Sequence, residues 1–151
     1  MLEELIRQYL EGTKMMHLAT ALQGRPWVCN VWFVSDDLFN LYWFSTATRR
    51  HSREVAENSH VAGSMCLLQT PEDAPRGLQF EGEAQVLIDT AEVEKARGLY
   101  EGRIFAREKI DELMRHPERP HKFYRIKPAL SVLFDVVNFP ADPRQEWRPH
   151  A

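Results

Sequence analysis

The chain has 151 residues, of which 44% are hydrophobic and 27% charged, with a formal net charge of −3. This composition is typical of a folded protein with one core, and it argues against a disordered or fibrous chain and a strongly basic nucleic-acid-binding domain. The two cysteines, Cys29 and Cys66, have no metal or redox spacing, so neither a disulfide nor a metal site is expected. We predict a single domain over residues 1–151, located in the cytoplasm and without a membrane span, because charged residues interrupt the apolar N-terminus.

The first part of the chain predicts a helix followed by strands. Apolar residues recur at helical spacing up to Gly12, which ends this helix. Residues 14–22 and 27–34 are strand-like and are joined by a turn at residues 23–26, so they predict a hairpin. After a second turn at residues 35–37, residues 38–44 predict a third strand, which would extend the hairpin to a meander.

The remaining elements alternate between helices and strands. Residues 46–58 are polar with helical spacing, residues 61–68 predict a strand, residues 69–77 a loop, and residues 78–88 a strand with one polar face. Asp89 and Glu92 have the spacing of a capping box, which predicts a helix to about residue 102, and a second helix is expected over residues 106–116. Strands at 123–127 and 130–137, separated by Pro128, precede a tail at 138–151. This order predicts an α+β fold, a mainly antiparallel barrel with flanking helices.

A basic segment lies where the third strand passes into the next helix. Ser45 and Thr46 are followed by Arg49, Arg50 and His51 at the expected helix start. Cations in a first helical turn oppose the helix dipole, by roughly 0.3–1 kcal/mol each, whereas a bound phosphate would be stabilised by these side chains and by the free amides. The alternative is a solvated basic helix face, which is the more common role of such a run.

Aromatic residues are concentrated in the strands that lead to this segment, which suggests a place for a flat ring system. Trp27, Trp32, Trp43 and Phe44 are among them, although a barrel core or a dimer interface would use the same residues. Asn30 is polar within an apolar run, so it either faces a ligand or lies at an exposed edge.

The order of these segments resembles the pyridoxamine 5′-phosphate oxidase-like superfamily of FMN-binding split barrels, in particular its small bacterial branch. The resemblance covers nearly the whole chain. It rests on the opening helix, the Gly24 hairpin, the strand-to-helix passage at residues 43–52, the strand at residues 77–84 and the ending at residues 123–128. It implies a split β-barrel of six to eight strands and a homodimer with FMN between the subunits.

The resemblance also implies site residues. In that family a hydroxyl and an arginine-lysine pair hold the flavin phosphate; here the pair is Arg50 and His51, with histidine in place of the usual lysine. A neutral imidazole would bind phosphate more weakly and in a pH-sensitive way. The preceding strand, with Asn30, Val31 and Trp32, is expected beside the flavin ring, and Gln79 is expected to face either the cofactor or the dimer partner. The glycine of Glu81-Gly82-Glu83 is expected to allow a close approach of a neighbouring backbone.

The function expected from this resemblance is an FMN-dependent oxidoreductase acting on an unidentified small substrate, with a nicotinamide as one possible electron donor. The flavin carries the chemistry, which agrees with the lack of a recognisable catalytic triad, Walker loop or dinucleotide fingerprint in the sequence. A pyridoxamine phosphate oxidase itself is not indicated, because the basic C-terminal motif of that enzyme is missing from residues 140–147. The alternative function is a non-enzymatic protein that binds flavin, haem or a deazaflavin for storage, sensing or transfer.

Overall fold

The computed structural model describes residues 1–67 and 69–150, which fold into helices around one antiparallel sheet. The helices are α1 (Leu2–Gly12), α2 (Arg50–Glu57), α3 (Thr90–Tyr100) and α4 (Arg107–Met114). The strands are β1 (Met15–Leu22), β2 (Arg25–Trp32), β3 (Val34–Ser35), β4 (Leu41–Thr46), β5 (His60–Met65), β6 (Arg76–Val86), β7 (His121–Asp135) and β8 (Arg144–Trp147). Leu68, the last residue of the predicted strand 61–68, lies outside the described residues.

The sheet is a curled half-barrel, so the predicted α+β split barrel is confirmed. Its strands follow the order β2-β1-β5-β6-β7-β4-β3, and β8 pairs with β7. The two ends of this order are β2 and β3, which are separated in the chain only by Phe33. The chain therefore crosses directly from one end of the curled sheet to the other, and the last residues of β2 before this crossing line the cleft described below. Among the described residues, no helix is long and apolar enough to cross a membrane.

The predicted hairpin is present, with β1 paired to β2 from Met15↔Trp32 to Leu22↔Arg25. Gln23 and Gly24 form its two-residue turn with φ angles of 51° and 74°. Positive φ at both central positions matches the twist of the flanking strands, which is why a glycine is favoured there.

The predicted meander is wrong at its third strand. After β3, the carboxylate of Asp36 accepts 2.9 Å hydrogen bonds from the backbone N–H groups of Leu38 and Asn40. These bonds fix a turn with Phe39 at a φ of 66°, so the extended segment begins at Leu41 and not at residue 38. Every residue of β4 is buried, and the strand pairs with β7 as well as β3, not with β2.

The last two predicted strands are one continuous strand, β7, which passes through Pro128. A register shift between Glu81 and Gly82 of β6 places Gly82 opposite Pro128 and leaves Ala129 unpaired. Such a bulge is where a strand accommodates a proline, because no ladder hydrogen bond is needed from its nitrogen. The tail also contains a strand that the sequence did not predict, β8, whose Trp147 packs edge-on to Phe39 at 4.3 Å between ring centroids.

The helices agree in type with the predictions but differ in their ends. The predicted helix 46–58 is the shorter α2, because Thr46 still belongs to β4 and residues 47–49 form a turn. At the start of α3, the Asp89 carboxylate accepts a 3.1 Å hydrogen bond from the N–H of Glu92. The Glu92 carboxylate does not complete a capping box, since it forms a 2.6 Å ion pair with Arg125 of β7.

Two apolar cores lie on the two sides of the sheet. The first fills the barrel and contains Trp43, which is stacked on Tyr124 at 4.7 Å between ring centroids. The second lies between the outer face of the β4–β7 pair and helices α3 and α4, and it contains Phe44, Tyr100 and Phe123. Neighbouring residues of β4 thus face different cores, and the end of β4 lies beside the start of α2.

Candidate functional site

A cleft of about 550 Å³ lies where the edge strand β2, the end of β4 and the start of α2 meet the layer formed by α3 and α4. Seven of the nine predicted site residues line it, namely Asn30, Val31, Trp32, Ser45, Arg49, Arg50 and His51. Its size is within the range of roughly 300–1,000 Å³ typical of small-molecule sites. The residues come from four separate elements or turns, so the curling of the sheet is what brings them together.

The basic wall of the cleft is the N-terminal end of α2. Arg49 is the N-cap residue, its side chain makes no capping hydrogen bond, and the first turn contains no acidic residue. The first amides of a helix have no acceptor within the helix, and the helix dipole is positive at this end. An anionic group placed here would therefore meet free N–H donors and arginine side chains together.

Arg50 is held in place from two sides. Its Nε donates a 2.8 Å hydrogen bond to Glu54 one turn later, and its guanidinium lies 4.1 Å above the ring of Trp27 from β2. Glu54 is itself buried and accepts a 2.9 Å hydrogen bond from the hydroxyl of Thr20. Within the described residues the Nη atoms of Arg50 have no partner, so they are available for a ligand.

His51 is buried beside the end of β4, with its Nε2 3.0 Å from the hydroxyl oxygen of Ser45. Burial lowers the pKa of His51 below its usual value, and the positive charge of Arg49 lowers it further. The imidazole is therefore neutral at neutral pH when no anion is bound. It contributes a hydrogen-bonding group to this wall of the cleft and not the fixed charge that a lysine would supply.

The other walls of the cleft are aromatic. Phe44, Tyr100 and Phe105 contribute from β4 and the α3–α4 layer, and Trp27 and Trp32 from β2. Tyr100 links the two sides through a hydrogen bond of 3.4 Å from its hydroxyl to the carbonyl oxygen of Trp32. Trp27 and Trp32 remain 42% and 45% exposed, so flat apolar surface faces the cleft and the solvent.

Sequence reasoning missed the residues that α3, α4 and β7 contribute. Tyr100, Phe105 and Leu113 lie in segments that read only as amphipathic helices and their connection, and His121 begins β7. No local spacing signals that these positions face the cleft. Their placement depends on the packing of α3 and α4 against the outer face of the sheet.

Two predicted site residues lie elsewhere. Thr46 lines a neighbouring cavity of about 320 Å³, where its hydroxyl is 3.0 Å from that of Thr48. Gln79 is exposed on β6 between Ser64 of β5 and Val132 of β7, in a separate depression of the surface. Within one chain, therefore, Gln79 does not contribute to the cleft.

Comparisons with known proteins agree with this architecture. The family model described as pyridoxamine 5′-phosphate oxidase matches residues 2–132. A search of curated proteins found no match.

Solved structures with the same fold include proteins of different descriptions. A putative pyridoxamine 5′-phosphate oxidase from Listeria innocua is 22% identical, with a TM-score of 0.67 and coverage of 88% of this chain and 98% of that one. HutZ, the haem storage protein from Vibrio cholerae, is 25% identical, with a TM-score of 0.69 and coverage of 84% and 89%. A pyridoxamine 5′-phosphate oxidase-related, FMN-binding protein from Nostoc punctiforme is 11% identical, with a TM-score of 0.67 and coverage of 95% and 87%.

The family match extends over most of the chain, from the first helix to the strand that carries Ser131 and Val132. The similar structures add that this fold is shared by a protein described as FMN-binding and by one described as a haem storage protein. With its curled sheet and the cleft at the start of α2, the chain belongs to the pyridoxamine 5′-phosphate oxidase family.

Proposed function

We propose that the cleft binds FMN and that the protein is a flavin-dependent oxidoreductase. The observation that carries this proposal is the uncapped start of α2, with Arg49, Arg50 and His51 at one end of a cleft whose other walls are aromatic. A phosphate fits the basic end and a flat ring system fits the aromatic end. No single charged patch or aromatic cluster would support both groups at once.

The polar atoms of the cleft fit such a ligand. The Nη atoms of Arg50 and the first amides of α2 have no protein partner within the described residues. The buried Nδ1 of His121, in the same cleft, has no hydrogen-bond partner in the part of the chain that the structure describes. Buried or oriented donors without acceptors are costly unless a ligand or water satisfies them, and a phosphate accepts several hydrogen bonds at once.

Within this proposal each group has a defined task. Arg50 binds the phosphate, and Trp27 and Glu54 keep its guanidinium in position before the ligand arrives. Phe44, Tyr100 and Phe105 exclude water from the ring, and Asn30 offers a side-chain amide to the edge of the ring. A bound flavin supplies hydride transfer, so the protein needs only to bind, orient and shield.

The proposal includes a homodimer that completes the cleft. Strand β2 is an end of the sheet order, and its Trp27, Val28 and Trp32 are 42%, 58% and 45% exposed. A free sheet edge with large apolar side chains is a surface that proteins normally cover. A second copy on this edge would cover the tryptophans, and Gln79 would reach a cofactor only from that copy.

Haem binding is the second candidate. It is favoured by the similarity to the haem storage protein and by His51 and His121, which both line the cleft. Haem binding is the weaker of the two candidates because His51 is buried and its Nε2 is already hydrogen-bonded to the hydroxyl of Ser45. Haem and FMN are distinguished by their absorption spectra, so one titration separates the two candidates.

The decisive experiment is a titration of the purified protein with FMN, followed by absorbance and by quenching of flavin fluorescence. Arg50→Ala removes a charge-assisted hydrogen bond, worth about 1.5–3 kcal/mol, and should weaken FMN binding by about 10- to 150-fold. Arg53→Ala is the matched control, since Arg53 is an exposed arginine of the same helix that does not line the cleft. Equal FMN affinities of the two variants would refute the assignment of Arg50.

The oxidoreductase activity requires its own test. The FMN-loaded protein should lose its flavin absorbance when NADH or NADPH is added without oxygen, and should recover it with an electron acceptor. If the protein binds FMN but neither NADH nor NADPH removes the flavin absorbance, the protein would be a flavin-binding protein only. That result would contradict the nicotinamide-linked reaction. A Soret band on adding haem, together with failure to bind FMN, would favour the second candidate.

A further inference from the structure

A second basic cavity adjoins the cleft and shares Arg49 and His121 with it, whereas its other lining residues have no role in the proposed function. It has a volume of about 320 Å³ and lies between the end of β4, the N-cap of α2 and the loop after α4. Apart from Leu113, its lining is made of hydroxyl and basic side chains, namely Thr46, Thr48, Arg49, His116, Arg119 and His121. No aspartate or glutamate is among the lining residues that the structure describes.

The basic groups of this cavity are not neutralised by the protein. Arg49 and Arg119 form no ion pair within residues 1–67 and 69–150. Burial lowers the pKa of His121, and the positive charge of Arg49 lowers it further. The groups thus repel one another, an arrangement that an anion in the cavity would stabilise.

The loop after α4 is fixed in a conformation that presents donors. Nδ1 of His116 accepts hydrogen bonds from the backbone N–H groups of Glu118 and Arg119, at 3.3 and 3.1 Å. Because Nδ1 accepts these bonds, the imidazole proton is on Nε2, which is therefore a hydrogen-bond donor. On the opposite wall, Thr46 and Thr48 are 3.0 Å apart at their hydroxyl oxygens, so one of the two protons is free to bind a further acceptor.

We infer that this cavity is a second anion site, distinct from the phosphate end of the cleft, and that it binds a tetrahedral oxyanion such as a phosphate group. Two arginines, two histidines and two hydroxyls provide more donors than acceptors, which suits an oxyanion and not a neutral ligand. Arg49 and His121 line both the cavity and the cleft, so the two sites adjoin. The phosphate group would come either from a free anion or from the second phosphate of a flavin dinucleotide.

The test is a titration with inorganic phosphate at constant neutral pH, observed through the imidazole NMR signal of His116, which lines this cavity and not the cleft. This signal should shift in a saturable way in the wild type. Arg119→Gln should need about tenfold more phosphate for the same shift, because one charge-assisted hydrogen bond is lost. Arg115→Gln is the matched control, since it makes the same charge change in the neighbouring exposed position outside the cavity.

Competition with flavins identifies the source of the anion. If FMN leaves the phosphate-induced shift of His116 unchanged, the site is separate from the flavin phosphate, and displacement by FAD alone would identify a dinucleotide diphosphate as its occupant. Displacement of phosphate by FMN would overturn the inference, because the cavity would then be part of the flavin phosphate site. The absence of a saturable shift, or equal phosphate requirements of the Arg119 and Arg115 variants, would overturn it as well. The phosphate titration does not depend on FMN binding, so failure of the proposed function leaves this result interpretable.

Discussion

Gly82 offers the sharpest test of how the barrel is closed. It lies at the register shift of β6, directly opposite Pro128 of β7. A Cβ at this position would lie 2.2 Å from the carbonyl oxygen of Lys127 and 2.8 Å from Cα of Pro128. Both atoms belong to the backbone of β7, so a change of rotamer cannot relieve the contact. Gly82→Ala therefore forces the two strands apart at the bulge.

The expected cost follows from the size of this overlap. An ordinary contact for a Cβ atom begins at 3.4 Å, so the strands would have to separate by about 1 Å at this point. Overpacking of a closely packed region typically costs 1–3 kcal/mol, and a weakened ladder hydrogen bond adds about 1 kcal/mol. We expect Gly82→Ala to lower the free energy of unfolding by about 3 kcal/mol.

Urea unfolding at one fixed protein concentration measures this change, since the stability of an oligomer depends on concentration. Gly77→Ala is the control on the same strand, because the nearest atom to its Cβ would be 3.9 Å away. Gly98 is exposed on α3, and a Cβ there would meet no described atom within 4 Å. Gly98→Ala should therefore stabilise the protein by roughly 0.5–1 kcal/mol. A Gly82 variant within about 1 kcal/mol of the Gly77 variant would refute the reasoning.

Three further predictions concern charge and turn geometry. Hydrogen bonds from Lys95 and Tyr42 outweigh burial and lower the pKa of Asp36, so Asp36→Asn should destabilise by about 1–3 kcal/mol at neutral pH. In urea unfolding across pH, this difference in stability should be complete above about 3.9, the pKa of an aspartate in the unfolded chain. It should be lost as the pH falls from there through the lower pKa of Asp36 in the folded protein, and a pH-independent difference would contradict the role of the carboxylate. Because FMN phosphate would raise the lowered pKa of His51, the ratio of wild-type to His51→Gln FMN affinity should increase as the pH falls from about 7.5 to 5.5, and a constant ratio in fluorescence titrations would exclude this proton uptake. Gln23→Asn should stabilise the β1–β2 turn by roughly 0.5 kcal/mol in thermal unfolding, because asparagine tolerates the positive φ better; an unchanged melting temperature would argue against strain there.

Much of the site's basic wall could be predicted from the sequence because its residues are close in the chain. Ser45, Arg49, Arg50 and His51 lie within seven positions, at a strand end and a helix start that local patterns identify. A mismatch between cations and a helix dipole is also a local property. The placement of Thr46 in the neighbouring cavity was not predictable. Successive residues of a strand face opposite sides of the sheet, and which side Thr46 faces depends on where the strand ends.

Sheet pairing was the main feature that local patterns could not supply. The apolar run before Phe44 indicated a buried strand, but besides β3 this strand pairs with β7, about eighty residues later in the chain. Pro128 suggested a break, and only the bulge opposite Gly82 explains why β7 continues through it. The strand β8 is short and polar, and it pairs because β7 leaves an edge available for it.

The sequence by itself determined the type and order of most elements, the hairpin turn at Gly24 and the basic start of α2, because each depends on interactions between residues near one another in the chain. The tertiary structure alone decided that Arg50 is held between Glu54 and Trp27, and that Tyr100 and His121 complete the cleft. These contacts depend on how the sheet curls and where α3 and α4 pack. Such long-range packing is set by the burial of many side chains together and leaves no periodic signal in any one segment.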